Sequence, residues 1–134
     1  NNLSGLLCQS DTLWICTNEN RLIKSTNGGN NWVEIWVTNC NNILNLQYIK
    51  SDLIYGLTYH ENNIIKLVKS TNGGFNWIQI YQFPFQMSYS EKGKYQFLND
   101  TLGFSLGSQC IAKTTNGGYN WNIVYIDTGS INNV

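Results

Sequence analysis

The side chains able to carry out acid–base chemistry are few and are spread along the chain. Hydrolysis of a glycosidic bond needs two carboxylates, one as acid and one as base or nucleophile. Asp11, Asp52 and Asp100 hold the same place in three related stretches of sequence, which is typical of turn formers. The carboxylates are Asp11, Asp52, Asp100, Asp127, Glu19, Glu34, Glu61 and Glu91. We therefore predict no catalytic residue and no enzyme.

Nucleophiles and metal ligands are equally scattered. His60 is the only histidine and has no nucleophile near it in the sequence, so a catalytic triad is not indicated. The four cysteines, Cys8, Cys16, Cys40 and Cys110, form no CxxC pair, and their spacing does not fit a zinc site. The sequence predicts neither a metal site nor a cofactor.

Cys8 and Cys16 flank the turn at residues 10–12 almost symmetrically. Two alternatives follow from this spacing. The thiols could form a disulfide across a hairpin in an oxidising compartment, or both could be free and buried.

Charge and hydropathy exclude two classes of function. Eight basic and eight acidic residues give a net charge of zero, and Arg21 is the only arginine, so a nucleic-acid binder is not indicated. No apolar run approaches the roughly 18 residues of a membrane span. The sequence has no initial Met and no basic leader before an apolar stretch, so we expect any targeting segment to have been removed.

A repeat organises the chain. KSTNGGNNW at Lys24–Trp32 returns as KSTNGGFNW at Lys69–Trp77 and as KTTNGGYNW at Lys113–Trp121, with periods of 45 and 44 residues. The three aspartates named first precede the repeated Asn by 16, 20 and 16 residues. Two landmarks that keep step indicate three structural repeats.

The second repeat shows the strand signals best. Alternating or β-branched segments predict strands at Leu44–Ile49, Leu53–Tyr59, Ile64–Ser70 and Trp77–Phe83. The Asn-Gly step of the last turn, which all three repeats share, predicts positive φ at both turn positions, as in a type I′ hairpin. A helix over residues 52–69 is the local alternative, and Gly56 argues against it.

Four strands per repeat predict an all-β fold of β-propeller blades, as three four-stranded antiparallel meanders. We expect blades at about residues 1–38, 43–83 and 91–127, with 128–134 entering a further blade. Propellers close with about four to eight blades. The chain is therefore expected to be part of a longer propeller or to complete a ring as a homo-oligomer.

The repeated segment resembles the Asp-box, or bacterial neuraminidase repeat, with the pattern Ser-x-Asp-x-Gly-x-Thr-Trp. Asn stands in place of both Asp and Thr in every copy. The matching residues are Ser25, Asn27, Gly29, Asn31 and Trp32; Ser70, Asn72, Gly74, Asn76 and Trp77; and Thr114, Asn116, Gly118, Asn120 and Trp121. Asn can accept the same turn hydrogen bonds without the charge, so an ion site is not expected there.

The stretch from Phe97 to Trp121 looks most like the seven-bladed assembly-factor propellers of photosystem II and their secreted bacterial relatives. Sortilin-type receptors, sialidases and xyloglucan-cleaving glycosidases carry similar boxes. This resemblance implies a scaffold outside the cytoplasm (secreted, periplasmic or at the cell surface) that presents loops to a protein partner. Sialidases grip the substrate carboxylate with three arginines, which the single Arg21 does not supply.

Glycan-active relatives leave a second hypothesis, a carbohydrate-binding module or a fragment of a propeller glycosidase. Aromatic residues outside the box are compatible with sugar binding: Trp14, Trp36, Tyr81 and Tyr125. The last three follow the box Trp by four residues, and this regular spacing favours packing. We therefore expect protein binding rather than glycan binding.

Overall fold

The computed structural model describes residues 3–17, 19–37, 43–60, 64–84, 94–107 and 109–129. Within these ranges twelve strands form three antiparallel sheets of four, each with its strands in sequence order. The predicted all-β class and the three meanders are thus confirmed. We name the sheets blade one, blade two and blade three. The predicted entry of the C-terminal residues into a further blade falls mostly on positions 130–134, outside the described residues.

The strand bounds are as follows. Blade one contains β1 (Leu3–Gln9), β2 (Thr12–Thr17), β3 (Arg21–Ser25) and β4 (Val33–Trp36). Blade two contains β5 (Ile43–Lys50), β6 (Leu53–Tyr59), β7 (Ile65–Ser70) and β8 (Ile78–Gln82). Blade three contains β9 (Lys94–Phe97), β10 (Gly103–Leu106), β11 (Cys110–Thr114) and β12 (Asn122–Ile126).

Blade two is covered on both of its faces. The inner residues of β6 are all buried, because one face of this strand packs towards blade one and the other towards blade three. A strand that is buried on both faces reads as a continuous apolar run. This accounts for the apolar i, i+3 and i+4 pairs that made a helix over residues 52–69 an alternative. Gly56 allows close packing here, since a Cβ would lie 2.7 Å from Ile43 Cγ2.

The hydrophobic core lies between the blades rather than within any one of them. One cluster joins blades one and two and includes Trp14, Leu22, Ile54 and Trp77. The other joins blades two and three around Tyr55, Leu67 and Phe97. A single sheet has two apolar faces that it cannot bury alone, so each blade is stabilised mainly by its neighbours.

Candidate protein-binding surfaces

We call residues 25–32, 70–77 and 114–121 the first, second and third NGG hairpins. In the second hairpin Ser70 Oγ accepts a hydrogen bond from the Gly74 N–H at 2.9 Å, and Asn72 Oδ1 accepts one from the Asn76 N–H at 2.8 Å. The other two hairpins have the same bonds. The neutral amide therefore closes the turn by accepting from the main chain.

The left-handed residues of these hairpins differ from the prediction. Positive φ falls on the two glycines, for example Gly73 at 69° and Gly74 at 92°, and not on Asn72 and Gly73. The type I′ expectation was wrong because seven residues separate Ser70 from the start of β8, so the connection is longer than a two-residue turn. The serine and asparagine side chains set its shape.

The hairpin tryptophans have two environments. Trp77 and Trp121 each donate from Nε1 to the carbonyl of the second glycine of their own hairpin, at 2.8 and 3.0 Å. Trp77 is 9% exposed, whereas Trp32 is 42% exposed. Within the described ranges no other blade lies against Trp32.

The aspartate turns and the NGG hairpins lie next to each other at one end of each blade. Gly28 N–H donates to the Asp11 carbonyl at 2.8 Å, and Gly73 N–H to the Asp52 carbonyl at 2.9 Å. In blade three Gly117 N–H uses the Thr101 carbonyl instead. This bond joins the two sequence landmarks directly in blades one and two, and through the residue after Asp100 in blade three.

The ionisable side chains that we considered for catalysis take part in local contacts. Glu34 pairs with Arg21 at 2.8 Å, and Asp100 of blade three pairs with Lys50 of blade two. The hydrogen bond from Lys50 lowers the pKa of Asp100. The His60 ring lies 3.1 Å from Thr58 Oγ1, and burial lowers the pKa of this histidine.

The remaining acidic candidates are at the surface. Glu19 and Asp127 are exposed, and Asp127 Oδ1 accepts a hydrogen bond from Gly129 N–H at 3.0 Å. Glu61 and Glu91, like Cys40, lie outside the described residues. Among the residues that are described, no three potential metal ligands come together, and no helix is long and apolar enough to cross a membrane.

Cys8 and Cys16 are not joined by a disulfide, and both are free thiols. The strand register explains this, because Cys8 lies opposite Leu13 whereas Cys16 lies opposite Gly5. The two side chains therefore point to opposite faces of blade one. The alternative of two buried thiols is correct for Cys16 only, because Cys8 is exposed. Burial raises the pKa of Cys16 to about 12.

The four aromatics outside the hairpins do not share one role. Trp14 is buried, and Tyr81 packs edge-on against Phe83 with ring centroids 5.2 Å apart. Trp36 and Tyr125 are 64% and 56% exposed, so the packing that we expected is wrong for them. No common surface in the described structure brings all four together.

A bulge explains why the shared spacing misled for Trp36. In blades two and three an irregularity in the pairing of the outer strand places Tyr81 opposite Leu67 and Tyr125 opposite Ile111. In blade one the pairing of β3 with β4 is regular, so Ile35 lies opposite Leu22, the position that Tyr81 and Tyr125 occupy in the other blades. Trp36 therefore points to the other face of the sheet.

Side chains of one blade hold the main chain of the next. Lys24 Nζ and Trp14 Nε1 of blade one both donate to the Gly73 carbonyl of the second hairpin, at 2.8 and 2.9 Å. The Lys24 ammonium also lies 4.6 Å from the centre of the Phe75 ring. Burial lowers the pKa of Lys24, and Asp52 opposes this shift.

The contact between blades two and three uses the same positions. Tyr55 Oη donates to the Gly117 carbonyl of the third hairpin at 3.0 Å, and burial raises the pKa of Tyr55 to about 12. Lys69 lies over the rings of Tyr55 and Tyr119, at 5.6 and 5.4 Å. The lysine that opens each repeat is not among the residues predicted from the sequence, although its recurrence is a visible signal.

A cleft of about 430 Å³ lies between the innermost strands of blades two and three. The Gln47 side-chain amide bridges it by bonding to both the N–H and the carbonyl of Phe97, each at 2.7 Å. Both polar main-chain groups of Phe97 therefore point away from β10. Outward-facing residues alternate along an antiparallel strand, so the main-chain groups of Tyr95 also face the cleft. The lining residues are Asn45, Leu46, Gln47, Lys94, Tyr95 and Gln96.

No model of a protein family matches the sequence, and no curated protein does. Solved structures do resemble the fold. A structure of YCF48 bound to a D1 peptide has a TM-score of 0.66 and 16% identity, and the match covers 90% of this chain and 38% of that one. YCF48 from Cyanidioschyzon merolae gives 0.60 and 20%, covering 90% of this chain and 36% of that one.

YCF48 is a photosystem II assembly factor with a β-propeller fold. The chain spans less than two fifths of the length of either YCF48 structure. At this level of identity the likeness concerns the fold. The three four-stranded sheets are therefore blades of a β-propeller, present here as part of a ring.

Proposed function

We propose that this chain is a non-catalytic propeller scaffold that binds an extended protein segment in the cleft between β5 and β9. The observation that carries the proposal is the open edge of β9. There the main-chain N–H and carbonyl of Tyr95 face a cleft whose lining includes three neutral amides and one lysine. An extended peptide can add to such an edge as a further strand.

Two observations support a peptide as the ligand. Gln47 already pairs with the main chain of Phe97 as a neighbouring strand would, so the edge can form strand-like hydrogen bonds. Tyr95 Oη donates to the Asn45 carbonyl at 2.6 Å and fixes one wall of the cleft. YCF48, a structural neighbour, has been seen with a peptide bound.

The test is a selection of linear peptides displayed on phage against the 134-residue chain, followed by affinity measurements on two variants. Tyr95→Pro removes the side chain and the main-chain N–H, and an outward-facing N–H is where an edge strand tolerates proline. Tyr95→Ala is the matched control, because it removes the same side chain and keeps the N–H. We expect the selected peptides to bind Tyr95→Pro at least tenfold more weakly than Tyr95→Ala.

Equal affinity for the two variants, with both folded by circular dichroism, would reject the site. Failure to select any peptide would reject the proposed function. A parallel screen for glycan binding and glycoside hydrolysis covers the second hypothesis, and turnover of any glycoside would overturn the non-catalytic assignment. No observation on the structure favours that second function.

We further propose that the NGG hairpins are Asp-boxes in which Asn replaces Asp. The hydrogen bonds to Asn72 Oδ1 and Ser70 Oγ support this, since a carboxylate could accept the same bonds. Asn72→Asp is expected to leave the melting temperature almost unchanged, and Asn72→Leu to lower it. A large loss for the aspartate variant would contradict the assignment. The proposed location outside the cytoplasm rests on the resemblance of the repeats alone.

A further inference from the structure

A second pocket, of about 160 Å³, lies between blades two and three near their outer strands, β8 and β12. Tyr81 and Phe83 line it on the side of blade two, and Trp121 of blade three lies against both of their rings. It shares no lining residue with the cleft between β5 and β9. The pocket is therefore a separate feature of the contact between these two blades.

The three aromatic rings form a preformed apolar wall. Phe83 lies edge-on to Tyr81, and the Trp121 ring is tilted against both, with its centroid 5.5 Å from that of Phe83 and 6.3 Å from that of Tyr81. Aromatic pairs prefer such edge-on or offset arrangements at about 4.5–7 Å. The Trp121 N–H is used within its own hairpin, in the bond to the Gly118 carbonyl. These contacts hold the rings in place and leave apolar surface towards the pocket.

The opposite wall belongs to blade three and consists of small side chains, among them Ser105, Cys110 and Ala112. Ala112 pairs with Ser105 as Val68 of blade two pairs with Gly56, so Ala112 and Val68 hold the same position in their blades. Val68 is 0% exposed in the contact between blades one and two, whereas Ala112 is partly exposed. Alanine has two carbon atoms fewer than valine, and the contact between blades two and three is open at this position.

The size and lining of the pocket suit an uncharged apolar group. None of its described lining residues is charged, so a charged ligand would lose its hydration without gaining a partner. Water in an apolar site has few hydrogen-bond partners, and an apolar group that replaces it binds favourably. An apolar cavity of about 150 Å³ in another protein holds one benzene molecule. Ile123 lines the pocket and is 56% exposed, so a ligand can reach it from the solvent.

We propose that this pocket binds a small uncharged molecule that carries a single aromatic ring. The ring would lie edge-on or offset against Phe83 and Trp121, in the arrangement that these rings already adopt with each other. Its opposite edge would lie next to Ala112, in the space that the valine side chain fills in blade two. The site does not depend on the peptide cleft, so either proposal can fail without the other.

The first test measures the binding of fluorobenzene by fluorine NMR to the 134-residue chain and to two variants. Ala112→Val fills the pocket with the side chain that Val68 has at the same position. Ala112→Gly is the matched control, because it changes the same residue and leaves the pocket open. We expect the wild type and Ala112→Gly to bind fluorobenzene, and Ala112→Val to bind it at least tenfold more weakly, with all three folded by circular dichroism.

Cys110 gives a second readout that needs no variant. Its thiol lines the pocket, whereas the thiol of Cys8 is exposed on blade one. Saturating fluorobenzene should slow the alkylation of Cys110 by iodoacetamide and leave that of Cys8 unchanged, as measured by mass spectrometry of the peptides. A wild type that does not bind fluorobenzene, or a folded Ala112→Val that binds it as tightly, would overturn the proposal. Alkylation of Cys110 that is not slowed, or is slowed no more than that of Cys8, would overturn it as well.

Discussion

The first and second NGG hairpins differ at one of eight sequence positions, yet their surroundings are opposite. Both have glycines with positive φ and the same serine and asparagine hydrogen bonds. The second is held by Lys24 and Trp14 of blade one, and its glycines are buried. Gly28 of the first is exposed. The sequence of the repeat thus determines the turn, whereas the neighbouring blade determines its burial.

The largest expected effect comes from alanine at the second glycine of a covered and of an uncovered hairpin. Gly118 and Gly29 have φ of 92° and 87°, so the backbone strain should be similar, about 1–2 kcal/mol. A Cβ at Gly118 would also meet Leu67 Cδ2 at 2.7 Å, whereas at Gly29 the nearest atom is 3.5 Å away. Overpacking adds about 1–3 kcal/mol. Urea unfolding should show a loss of about 2–5 kcal/mol for Gly118→Ala and of about 1–2 kcal/mol for Gly29→Ala.

Equal losses for the two alanine variants would show that the neighbouring blade adds nothing.

The next effect compares Leu57 with Leu106. Leu57→Ala should destabilise by about 3 kcal/mol, because the deleted methyl groups leave a cavity in a buried contact. Leu106→Ala should cost less than about 1 kcal/mol, as is usual for a partly exposed side chain. Matching losses in chemical denaturation would mean that Leu106 is packed as tightly as Leu57.

A smaller effect isolates the bond from Tyr55 to the Gly117 carbonyl. Tyr55→Phe removes one hydrogen bond and should cost about 1 kcal/mol. The pKa of Tyr55 is raised from its ordinary 10 to about 12 in the folded state. The unfolded chain therefore releases this proton first, and stability falls as the pH rises from about 10 to 12. In the phenylalanine variant the free energy of unfolding should fall less steeply over this pH range. An equally steep fall would show that Tyr55 does not cause the pH dependence.

The smallest effect concerns the exposed pair of Lys50 and Asp100, which joins blades two and three. The pKa of Asp100 is lowered, so its contribution is present above the ordinary aspartate value and is lost as the pH falls through the lowered one. Exposed ion pairs stabilise little and are screened by salt. Asp100→Asn should change the melting temperature at pH 7 slightly and weaken its dependence on salt. A large loss that salt does not affect would contradict this.

Local signals predicted the fold well. The alternation of residues 44–49 and the turn at residues 50–52 concern short stretches of chain, and the strands form where these signals place them. The spacing of Trp36 misled because one bulge shifts the outer strand of blades two and three by a residue, and no residue type marks it. The lysines recur in the sequence, but the carbonyl that Lys24 binds belongs to a residue 49 positions away. Such a contact exists only after the blades have packed.

The contact made by Lys24 and Trp14 has a consequence for how the repeats can diverge. Both side chains donate to a main-chain carbonyl, a group that every amino acid has. The residue after the two glycines is Asn30, Phe75 and Tyr119 in the three hairpins, and this variation does not remove the attachment point. A newly duplicated repeat can therefore form this contact with its neighbour without a change of sequence at the carbonyl. Its surface loops can then acquire different binding properties while the joint between units stays the same.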